Sequence, residues 1–435
     1  MRLSVIGCGY LGTVHAAAMA SLGHEVIGID TDAERIDTLR RGEAPFFEPE
    51  VEGLLSAGIK SGLLSFDTRL SAAREADVHF ICVGTPQRLD EDAADLSALH
   101  AVCEDLLPFL RPGAVVAGKS TVPVGTAEPL RQTIATVGAT LVWNPEFLRE
   151  GHAVADTLSP DRIVIGASTD AAGVAAVELL REVYTTAREA GTPVVVTDLA
   201  TAELVKGAAN AFLATRLSFM NAIAEVADAT GADVSLLSEA LGYDDRIGPK
   251  YLGAGIGFGG GCLPKDIRSF ASRARELGAT SSAELLEHVD AINLGQRTRT
   301  VETAARMLGG TLTNRRITVL GAAFKPNSDD VRDSPALDIA HALHSAGATV
   351  TVTDPAALKN ASLRYPELHF EYDLDAALAG AELVLLATEW QEYRALDPAI
   401  AGAGINEKRV LDGRNCLNPV AWTAAGWTYR GVGRR

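Results

Sequence analysis

The N-terminal segment "RLSVIGCGYLG" constrains the fold of this chain more than any other stretch of its sequence. It is an apolar, β-rich run that ends in Gly7, Gly9 and Gly12, spaced as G-x-G-x-x-G. A helical pattern follows, and then "EVIGID", a second apolar run that ends in Asp30. Strand, glycine turn, helix, strand and terminal acid in this order predict a βαβ unit that binds a dinucleotide at the turn.

Each residue of this unit has a physical reason to be there. Gly7 permits the tight turn, Gly9 lets the main chain approach a pyrophosphate, and Gly12 lets helix and strand pack closely. The helix N-terminus offers backbone N–H groups to the phosphates. Asp30 is expected to accept hydrogen bonds from an adenosine ribose, which favours NAD over NADP because a carboxylate repels a 2′-phosphate. Arg35, on the next helix, either flanks that ribose or is a solvated surface residue.

Three further strands continue the alternation and end in polar or turn residues. They are "ADVHFICVGTP", "AVVAGKSTVPVGT" and "ATLVWNPEFLREG". Ligands of an open α/β sheet lie beyond the carboxyl ends of its strands, so Thr121, Glu146 and Glu150 are expected at the ligand edge. Glu146 and Glu150 are four apart, and if this segment is helical their carboxylates share one face. "DRIVIG" and "TPVVVTD" are expected to close the domain.

A long helical pattern begins at Asp198, which can act as N-cap, and ends at Gly231. Its length predicts a spine between domains and a dimer contact. Lys206 and Asn210 are four apart and project from the same side of this helix. Small and apolar neighbours surround Lys206, so a functional position is as consistent with the sequence as a solvated one.

The strand and helix alternation restarts in the last third of the chain. Its first strand ends in a single glycine, Gly321, so the phosphate-binding spacing is absent, and its second strand ends in Asp354. This pattern predicts a Rossmann-like half without a dinucleotide site. Lys325, Arg332 and Arg414 are available for a ligand held between the two outer domains, although each alone is also consistent with a surface charge.

A chain of 435 residues is too long for one core. We predict an α/β protein in which two Rossmann-like domains are joined by a central helical domain with a long spine helix. The predicted boundaries are 1–197 for the NAD-binding domain, 198–310 for the central helical dimerisation domain and 311–435 for the C-terminal Rossmann-like domain.

Charge and cysteine content exclude several classes of protein. The formal net charge of −17 argues against nucleic-acid binding through phosphate contacts. Five scattered cysteines without a CxxC pair argue against a disulfide framework or a structural zinc site, so no metal is expected. They are typical of a reducing cytosol. No apolar stretch approaches the length of a membrane span, and a soluble cytoplasmic protein is the expectation.

The stretch "GFGGGCLPKD" places Cys262 after a glycine run and just before a predicted helix. A buried thiol in a tight loop is the ordinary interpretation. The helix N-terminus, however, stabilises a thiolate, and the glycines leave room for a ligand against the backbone. Asp266, one turn on, is placed to orient a water or an ammonium. Cys262 is therefore a candidate nucleophile that traps a carbonyl as a thiohemiacetal, which hydride transfer oxidises to a thioester.

Nine sequence blocks in order resemble the nucleotide-sugar 6-dehydrogenases of the UDP-glucose/GDP-mannose dehydrogenase family. Besides those quoted above, they include "PDRIVIG", "KGAANAFLA", "RIGPKYLGAGIGFGGGCLPKD", "AAFKPNSDDVR" and "DGRN". The resemblance covers nearly the whole chain. It implies oxidation of a sugar C6 alcohol to a carboxylate with two NAD⁺ per substrate, a C-terminal domain that binds the nucleotide sugar, and assembly into dimers or larger oligomers.

The resemblance also implies residue roles. Cys262 would be the nucleophile, and Lys206 would stabilise oxyanion charge and assist proton transfer. Asn210 and Asp266 would position Lys206 and the water, Thr121 would orient that water, and Glu146 would be the general base for thioester hydrolysis.

The same resemblance implies one set of residues that bind the cofactor and one set that bind the substrate. It also implies one residue that reaches the active site of the neighbouring subunit. The cofactor set is Gly7, Gly9, Tyr10, Leu11, Gly12, Asp30, Arg35, Thr85, Thr121, Glu150 and Arg332. The substrate set is Phe147, Leu148, Arg149, Glu150, Lys206, Asn210, Tyr251, Gly253, Gly255, Gly257, Phe258, Gly259, Phe324, Lys325 and Arg414. Arg246 matches a family arginine that reaches the substrate of the neighbouring subunit.

The chain departs from the family at two positions, and several alternatives stay open. Gly261 stands where relatives often have serine, and Gly253 where others have bulkier or charged residues, which affects nucleotide recognition. Within the family, UDP-glucose fits best, with dTDP-glucose or GDP-mannose as alternatives. Outside it, a two-electron β-hydroxyacid dehydrogenase shares the Lys–Asn pair but needs no Cys262. A non-catalytic NAD sensor would use Cys262 as a redox switch.

Overall fold

The computed structural model describes residues 1–434. The chain folds as two compact units, Met1–Ala209 and Asn210–Arg435, called unit 1 and unit 2 below. The boundary between them falls inside one 32-residue helix. The predicted domain boundaries at 197/198 and 310/311 stay predictions.

Unit 1 is built on an eight-stranded sheet. Its strands are β1 (Arg2–Ile6), β2 (Glu25–Ile29), β3 (Leu64–Asp67), β4 (Val78–Ile81), β5 (Val115–Gly118), β6 (Thr140–Trp143), β7 (Ile163–Gly166) and β8 (Val194–Thr197). The order is β3-β2-β1-β4-β5-β6-β7-β8. Neighbouring strands from β3 to β6 are parallel, whereas β7 pairs antiparallel with β6 and parallel with β8. The two closing strands are therefore in the predicted sheet, with a reversal that their sequence did not indicate.

Helices cover both faces of this sheet, which explains why its strands are apolar along their whole length. In β1, Leu3 and Val5 join the core on one face and Ile6 joins the core on the other. The helices are α1 (Tyr10–Ser21), α2 (Ala33–Arg40), α3 (Val51–Lys60), α4 (Ser97–Leu106), α5 (Ala127–Ala135), α6 (Ala153–Leu158), α7 (Ala171–Val183) and α8 (Thr185–Glu189), with 3₁₀ turns at Leu70–Glu75 and Leu107–Phe109.

The predicted spine helix is α9, Leu199–Thr230, and both of its predicted ends are confirmed. The Asp198 carboxylate accepts a hydrogen bond from the backbone N–H of Thr201, at 2.8 Å, as an N-cap does. Gly231 has a φ of +78°, and its N–H closes the last turn on the carbonyl of Ala227. A glycine adopts this left-handed conformation without the steric cost that a Cβ imposes.

Unit 2 contains the rest of α9, three helices and a second sheet with its own helices. The first helices are α10 (Val234–Gly242), α11 (Leu263–Glu276) and α12 (Thr280–Met307). The strands are β9 (Arg316–Leu320), β10 (Thr349–Thr353), β11 (His369–Phe370), β12 (Leu383–Leu386), β13 (Arg409–Asp412) and β14 (Thr428–Gly431). All are parallel, in the order β11-β10-β9-β12-β13-β14. The remaining helices are α13 (Pro335–Ser345), α14 (Leu358–Arg364), α15 (Leu374–Leu378), α16 (Gln391–Arg394), α17 (Pro398–Ala401) and α18 (Pro419–Ala424).

The second sheet uses the acid at the end of its second strand for its own structure. The Asp354 carboxylate is 4% exposed and accepts hydrogen bonds from four backbone N–H groups and from the indole of Trp390. A Cβ on Gly321 would lie 2.4 Å from the side chain of Thr388. Asp354 therefore stabilises the turns of this sheet through protein donors.

The predicted fold class is thus confirmed: two Rossmann-like sheets and a long central helix. Within residues 1–434, no helix is both long and apolar enough to cross a membrane.

Candidate active site

The glycine turn of unit 1 has the geometry of a dinucleotide-binding turn. Gly7 has a φ of +94°, and a Cβ there would lie 2.8 Å from the backbone of Val83. A Cβ on Gly12 would overlap the carbonyl oxygen of Gly7. Around Gly9, the N-cap of α1, no atom of residues 1–434 apart from its chain neighbours lies within 4 Å of the position of a Cβ. The turn is therefore packed tightly behind Gly9 and open in front of it, where the first N–H groups of a 12-residue helix can bind an anion.

Asp30 follows β2 and lies beside this turn. Its Oδ2 accepts hydrogen bonds from the Cys8 backbone N–H at 2.8 Å and from Arg35 at 3.0 Å, and its Oδ1 accepts one from the Asp32 N–H at 3.0 Å. A carboxylate has about four acceptor sites, so one site on Oδ1 is left for a ribose hydroxyl. Arg35 is held on Asp30 and Asp32.

The carboxyl ends of β4 and β5 meet at the same edge as the glycine turn. The Thr85 hydroxyl donates a hydrogen bond to the carbonyl of Thr121 at 2.7 Å, and Ser120 donates one to the carbonyl of Val83 at 2.7 Å. Thr85 is buried. These bonds join the two strand ends that the sequence predicted to border the ligand.

Residues 144–151, which follow β6, are not helical, so the predicted sharing of one helix face by Glu146 and Glu150 is wrong. The physical reason is that the Glu146 Oε1 itself accepts the backbone N–H groups of Phe147 and Leu148, at 2.7 and 3.1 Å. The Glu146 Oε2 pairs with the ammonium of Lys119, at 3.1 Å. Glu150 is buried.

Lys206 lies over the ring of Phe147, with its Nζ 5.5 Å from the ring centroid. The guanidinium of Arg162 stacks on the same ring at 3.8 Å. Arg149 is paired with Asp156 through two hydrogen bonds of 2.7 and 2.9 Å. Leu148 packs against the core of the unit. The unit 1 cluster thus brings cations next to an aromatic ring at the carboxyl end of β6.

Glu48 is a buried carboxylate that sequence analysis missed. It accepts a hydrogen bond from the hydroxyl of Tyr10, in the glycine turn, and from the N–H groups of Gly151 and Ala153, at 2.6 and 2.8 Å. Burial, together with Glu48, raises the pKa of Tyr10 far above its usual range. Glu48 therefore ties the turn to the segment that carries Glu150, although it stands some hundred positions before that segment.

In unit 2, Cys262 is exposed and is the N-cap of α11, with Pro264 in the first turn. Its carbonyl accepts the N–H of Asp266 at 2.9 Å. Asp266 is buried and accepts hydrogen bonds from Asn210 at 2.6 Å and from Lys265 at 2.7 Å. The unit 2 cluster thus places a thiol, a carboxylate and a carboxamide around the start of one helix.

The glycines directly before Cys262 allow close packing against neighbouring residues. The sequence-based interpretation, that they leave room for a ligand, does not hold for this part of the loop. A Cβ on Gly259 would lie 2.1 Å from the carbonyl of Asp333, and one on Gly260 would lie 2.6 Å from the ring of Phe324. Gly260 also has a φ of +89°. Around Gly253, by contrast, no protein atom lies within 4 Å of a Cβ. The loop is locked against residues 324–334 near Cys262 and open at its start.

Two long-range hydrogen-bonding side chains hold this loop. Arg414 donates to the carbonyls of Gly257 at 2.8 Å and Ala387 at 2.7 Å. Asn293, fully buried on α12, accepts the N–H of Phe258 at 2.7 Å and donates to its carbonyl at 3.0 Å. Arg414 was a predicted substrate residue, whereas Asn293 was missed, because a lone asparagine in a helical pattern carries no sequence signal.

The other predicted residues of unit 2 lie on loops. Arg246 is 89% exposed and paired with Asp244. Tyr251 has a φ of +61°, and Gly255 donates its N–H to Asn221 at 2.8 Å. Lys325 lies 5.1 Å from the ring centroid of Phe324, and Arg332 pairs with Asp330 at 2.6 Å. Residues 1–434 contain no group of three or more His, Cys, Asp or Glu that could hold a metal.

Three protein-family models match the chain in sequence order. They are the NAD-binding domain of the UDP-glucose/GDP-mannose dehydrogenase family over residues 1–188, its central domain over 200–294 and its UDP-binding domain over 318–419.

Similar proteins match over essentially the whole chain. UDP-glucose 6-dehydrogenases of Rhizobium meliloti and Pseudomonas aeruginosa are each 38% identical, over 100% of this chain and 100% and 98% of their own. Among solved structures, a UDP-glucose dehydrogenase of Pyrobaculum islandicum has a TM-score of 0.90 at 37% identity, covering 100% of this chain and 98% of its own. A UDP-D-ManNAc dehydrogenase of Pyrococcus horikoshii has a TM-score of 0.86 at 27% identity, covering 100% and 99%.

Proposed function

Because this chain belongs to the UDP-glucose/GDP-mannose dehydrogenase family and is an NAD-dependent nucleotide-sugar dehydrogenase, we propose that it oxidises C6 of UDP-glucose to the carboxylate of UDP-glucuronate. Each of two NAD⁺ accepts one hydride from C6. The observation that carries the proposal is the combination, in one chain, of a dinucleotide turn with an open Gly9 and a thiol at the N-terminus of α11. A single oxidation of an alcohol has no use for that thiol.

Cys262 is proposed as the covalent nucleophile. Its thiolate adds to the C6 aldehyde and forms a thiohemiacetal; loss of a hydride from C6 then leaves a thioester on Sγ. The N-cap position supports this role, because backbone N–H groups and the helix dipole stabilise a negative sulfur. Its exposure supports it as well, since a nucleophile must be accessible.

Lys206 is proposed to stabilise the oxyanion that develops on C6 and to take the proton of the alcohol. A preorganised cation near a developing charge is worth several kcal/mol in a dry site. Lys206 is half-buried above Phe147, which restricts its side chain. Asn210 and Asp266 are proposed to position Lys206 and the water. The 2.6 Å hydrogen bond between these two buried side chains supports a fixed orientation.

Glu146 is proposed to activate water for thioester hydrolysis, with Thr121 orienting that water. The water oxygen bonds to the acyl carbon, the C–S bond breaks, and the water proton passes to the carboxylate. The product is the sugar carboxylate, and Cys262 is regenerated as a thiol. In support, Glu146 lies at the carboxyl end of β6, at the edge that Thr121 and Thr85 also occupy.

The remaining predicted contacts are proposed as binding residues. For the cofactor these are the glycine turn with Tyr10 and Leu11, Asp30, Arg35, Thr85, Glu150 and Arg332. For the nucleotide sugar they are residues 147–150, Tyr251, the glycine loop, Phe324, Lys325 and Arg414. The relatives named as UDP-glucose 6-dehydrogenases favour glucose over an N-acetylated sugar and uridine over guanosine.

A homodimer is also proposed, with Arg246 reaching the active site of the neighbouring subunit. Phe212, Phe219 and Val226 are spaced by seven residues on α9, so that they lie on one face, and each is more than half exposed. Arg246 itself is 89% exposed on the loop after α10. A partner subunit that covers this apolar face removes the unfavourable free energy of exposing it to water.

NADH counting tests the proposed function. The purified protein is mixed with excess NAD⁺ and limiting UDP-glucose, dTDP-glucose, GDP-mannose or UDP-N-acetylhexosamine, and NADH is measured at completion by absorbance. Two NADH per UDP-glucose are expected, with the other sugars slower by at least tenfold in kcat/KM. One NADH per sugar would support a β-hydroxyacid-type reaction instead, and a faster dTDP or GDP sugar would correct the substrate.

A Cys262→Ser variant separates the enzyme from a redox sensor. We expect steady-state turnover to fall by at least a hundredfold while UDP-glucose still binds, because a neutral hydroxyl does not form the thioester. Cys416→Ser is the matched control, since that thiol lies in the loop before α18 and has no role in the proposed mechanism; this variant is expected to leave turnover unchanged. Full oxidation to the acid by Cys262→Ser contradicts the mechanism.

A further inference from the structure

We propose that Lys119 is a positioning residue for the hydrolysis step: it fixes the carboxylate of Glu146 so that a single acceptor site on Oε2 faces the attacking water. This inference rests on the proposed function, in which Glu146 is the base. It concerns the orientation of that base and not its identity. Lys119 itself touches neither substrate nor water in this proposal.

The ammonium of Lys119 is held by three acceptors. It pairs with Glu146 Oε2 at 3.1 Å, and it donates to Asn144 Oδ1 at 3.2 Å and to the hydroxyl of Tyr184 at 3.3 Å. An ammonium has three N–H donors, so each has a partner. The Lys119 side chain is 3% exposed. A buried ammonium whose three donors all have protein acceptors is held in one orientation, because it has no donor left for water.

The acceptors of Lys119 are themselves anchored to the sheet. The Tyr184 hydroxyl donates to Asn144 Oδ1 at 2.6 Å, and the Asn144 amide donates to the carbonyl of Val164, in β7, at 2.8 Å. The backbone N–H of Lys119 donates to the carbonyl of Ile81, in β4, at 3.0 Å. Lys119 is thus tied to β4 through its backbone and to β7 through Asn144, and the Glu146 side chain, its carboxylate partner, is 15% exposed.

The contacts of Glu146 leave it one acceptor site. Its Oε1 accepts two backbone N–H groups, which use the two lone pairs of that oxygen. Its Oε2 accepts one bond from Lys119 and keeps one lone pair. A base that can accept a proton from only one direction selects the water that is in line with that direction. Without Lys119, both lone pairs of Oε2 would be available to water, and the direction of attack would no longer be selected.

Both charged and neutral groups surround the Lys119–Glu146 pair: Asp156 and Arg162 line the same small cavity. Three titratable side chains near Lys119 are neutral: His15 on α1, Cys82 directly after β4 and Tyr184 directly after α7. Burial raises the pKa of Cys82 to about 12 and that of Tyr184 above its usual range, and burial with the nearby ammonium lowers the pKa of His15 far below its usual range. Burial is the largest single influence on the pKa of Lys119 and lowers it, but Glu146 together with Tyr184 and Cys82 outweighs burial, and the net pKa is raised. Glu146 is therefore the counter-charge of the ammonium.

The test is a rapid-mixing measurement of NADH with Lys119→Met. If Lys119 positions the base, both oxidations proceed and hydrolysis slows by about ten- to a hundredfold, so two NADH per active site appear in a burst before a slow steady state. Glu146→Gln is expected to give the same burst. Lys119→Arg keeps a cation next to Oε2 and is expected to recover part of the steady-state rate.

The double variant Lys119→Met/Glu146→Gln guards against a simple folding defect, because it leaves no unpaired charge in the core. Its steady-state rate is expected within twofold of Glu146→Gln, since Lys119 acts through Glu146. Tyr184→Phe removes one acceptor of Lys119 but keeps the ion pair, and it is expected to slow hydrolysis by less than Lys119→Met does.

The outcomes separate this inference from the proposed function. A wild-type protein that releases other than two NADH per UDP-glucose contradicts the proposed function. A wild type that releases two, with a Lys119→Met variant that shows no burst, contradicts only the inference. A double variant at least tenfold slower than Glu146→Gln also contradicts it, because Lys119 would then have a role apart from Glu146.

Discussion

Asp30 shows how individual hydrogen bonds prepare a residue for its ligand. Three of its four acceptor sites are used by the Cys8 and Asp32 backbone and by Arg35, which fixes the carboxylate and leaves one site on Oδ1. The sequence position alone predicted an acid next to the ribose. The side-chain geometry adds that this acid is held in place before NAD binds.

An Asp30→Ala variant is expected to raise the KM for NAD⁺ about tenfold or more and to leave kcat within about twofold. The reason is that losing a hydrogen bond to a charged group costs about 1.5–3 kcal/mol of binding free energy. This loss is the same in the ground state and in the transition state, so KM rises and kcat does not change. Steady-state kinetics at saturating sugar measure both constants. Asp32→Ala is the matched control, because Asp32 caps α2 and pairs with Arg35. Equal increases of KM in both variants would contradict the role of Asp30.

At the scale of elements, packing against neighbouring residues fixes the conformation of the loop before α11. Gly259 and Gly260 pack on Asp333 and Phe324, Asn293 holds Phe258 by two hydrogen bonds, and Arg414 holds Gly257. The loop therefore fixes the start of α11 from several sides. The sequence shows that glycines occupy this loop, but it does not show why. A bound ligand and a packed neighbouring loop both require that a Cβ be absent.

A Gly260→Ala variant is expected to lower the melting temperature and the turnover rate together. Its φ of +89° costs roughly 1–3 kcal/mol for a residue with a Cβ, and that Cβ would also displace the Phe324 ring. A shift of several degrees is expected for such a loss. Gly253→Ala, at the open start of the same loop, should leave the melting temperature unchanged. Calorimetry and NADH assays check the pair, and equal stability of the two variants would contradict the packing argument.

At the scale of the whole molecule, the apolar face of α9 is the feature that a single chain leaves exposed. Phe212, Phe219 and Val226 are 63%, 53% and 57% exposed, and Leu236 and Tyr243 on and after α10 are 65% and 78% exposed. A soluble chain rarely leaves large apolar side chains in such a regular series without a partner. The length of α9 predicted a dimer contact, and its surface supports that proposal.

A Phe219→Asp variant is expected to be monomeric at concentrations at which the wild type is a dimer. The added carboxylate would have to be desolvated in the apolar interface, which costs several kcal/mol. Light scattering coupled to size exclusion gives the mass of each form. Val420→Asp places the same charge on another exposed valine, on α18, and should not change the mass. A monomeric wild type, or a dimeric Phe219→Asp, would contradict the proposed interface.

The sequence by itself determined the local conformations of this protein and their order. The strand ends, the glycine turn at Gly7 and the ends of α9 at Asp198 and Gly231 were predicted correctly. The reason is that each depends on a few neighbouring residues: side-chain periodicity, a cap, or a φ that only glycine adopts freely.

Only the tertiary structure decided which distant groups meet. Lys119 and Glu146 are 27 positions apart on neighbouring strand ends, Glu48 reaches Gly151 across about a hundred residues, and β7 reverses direction against β6. Even the non-helical course of residues 144–151 depends on where the Glu146 carboxylate is held. Such pairings follow from sheet order and from the need of buried polar groups for partners, and a one-dimensional pattern contains neither.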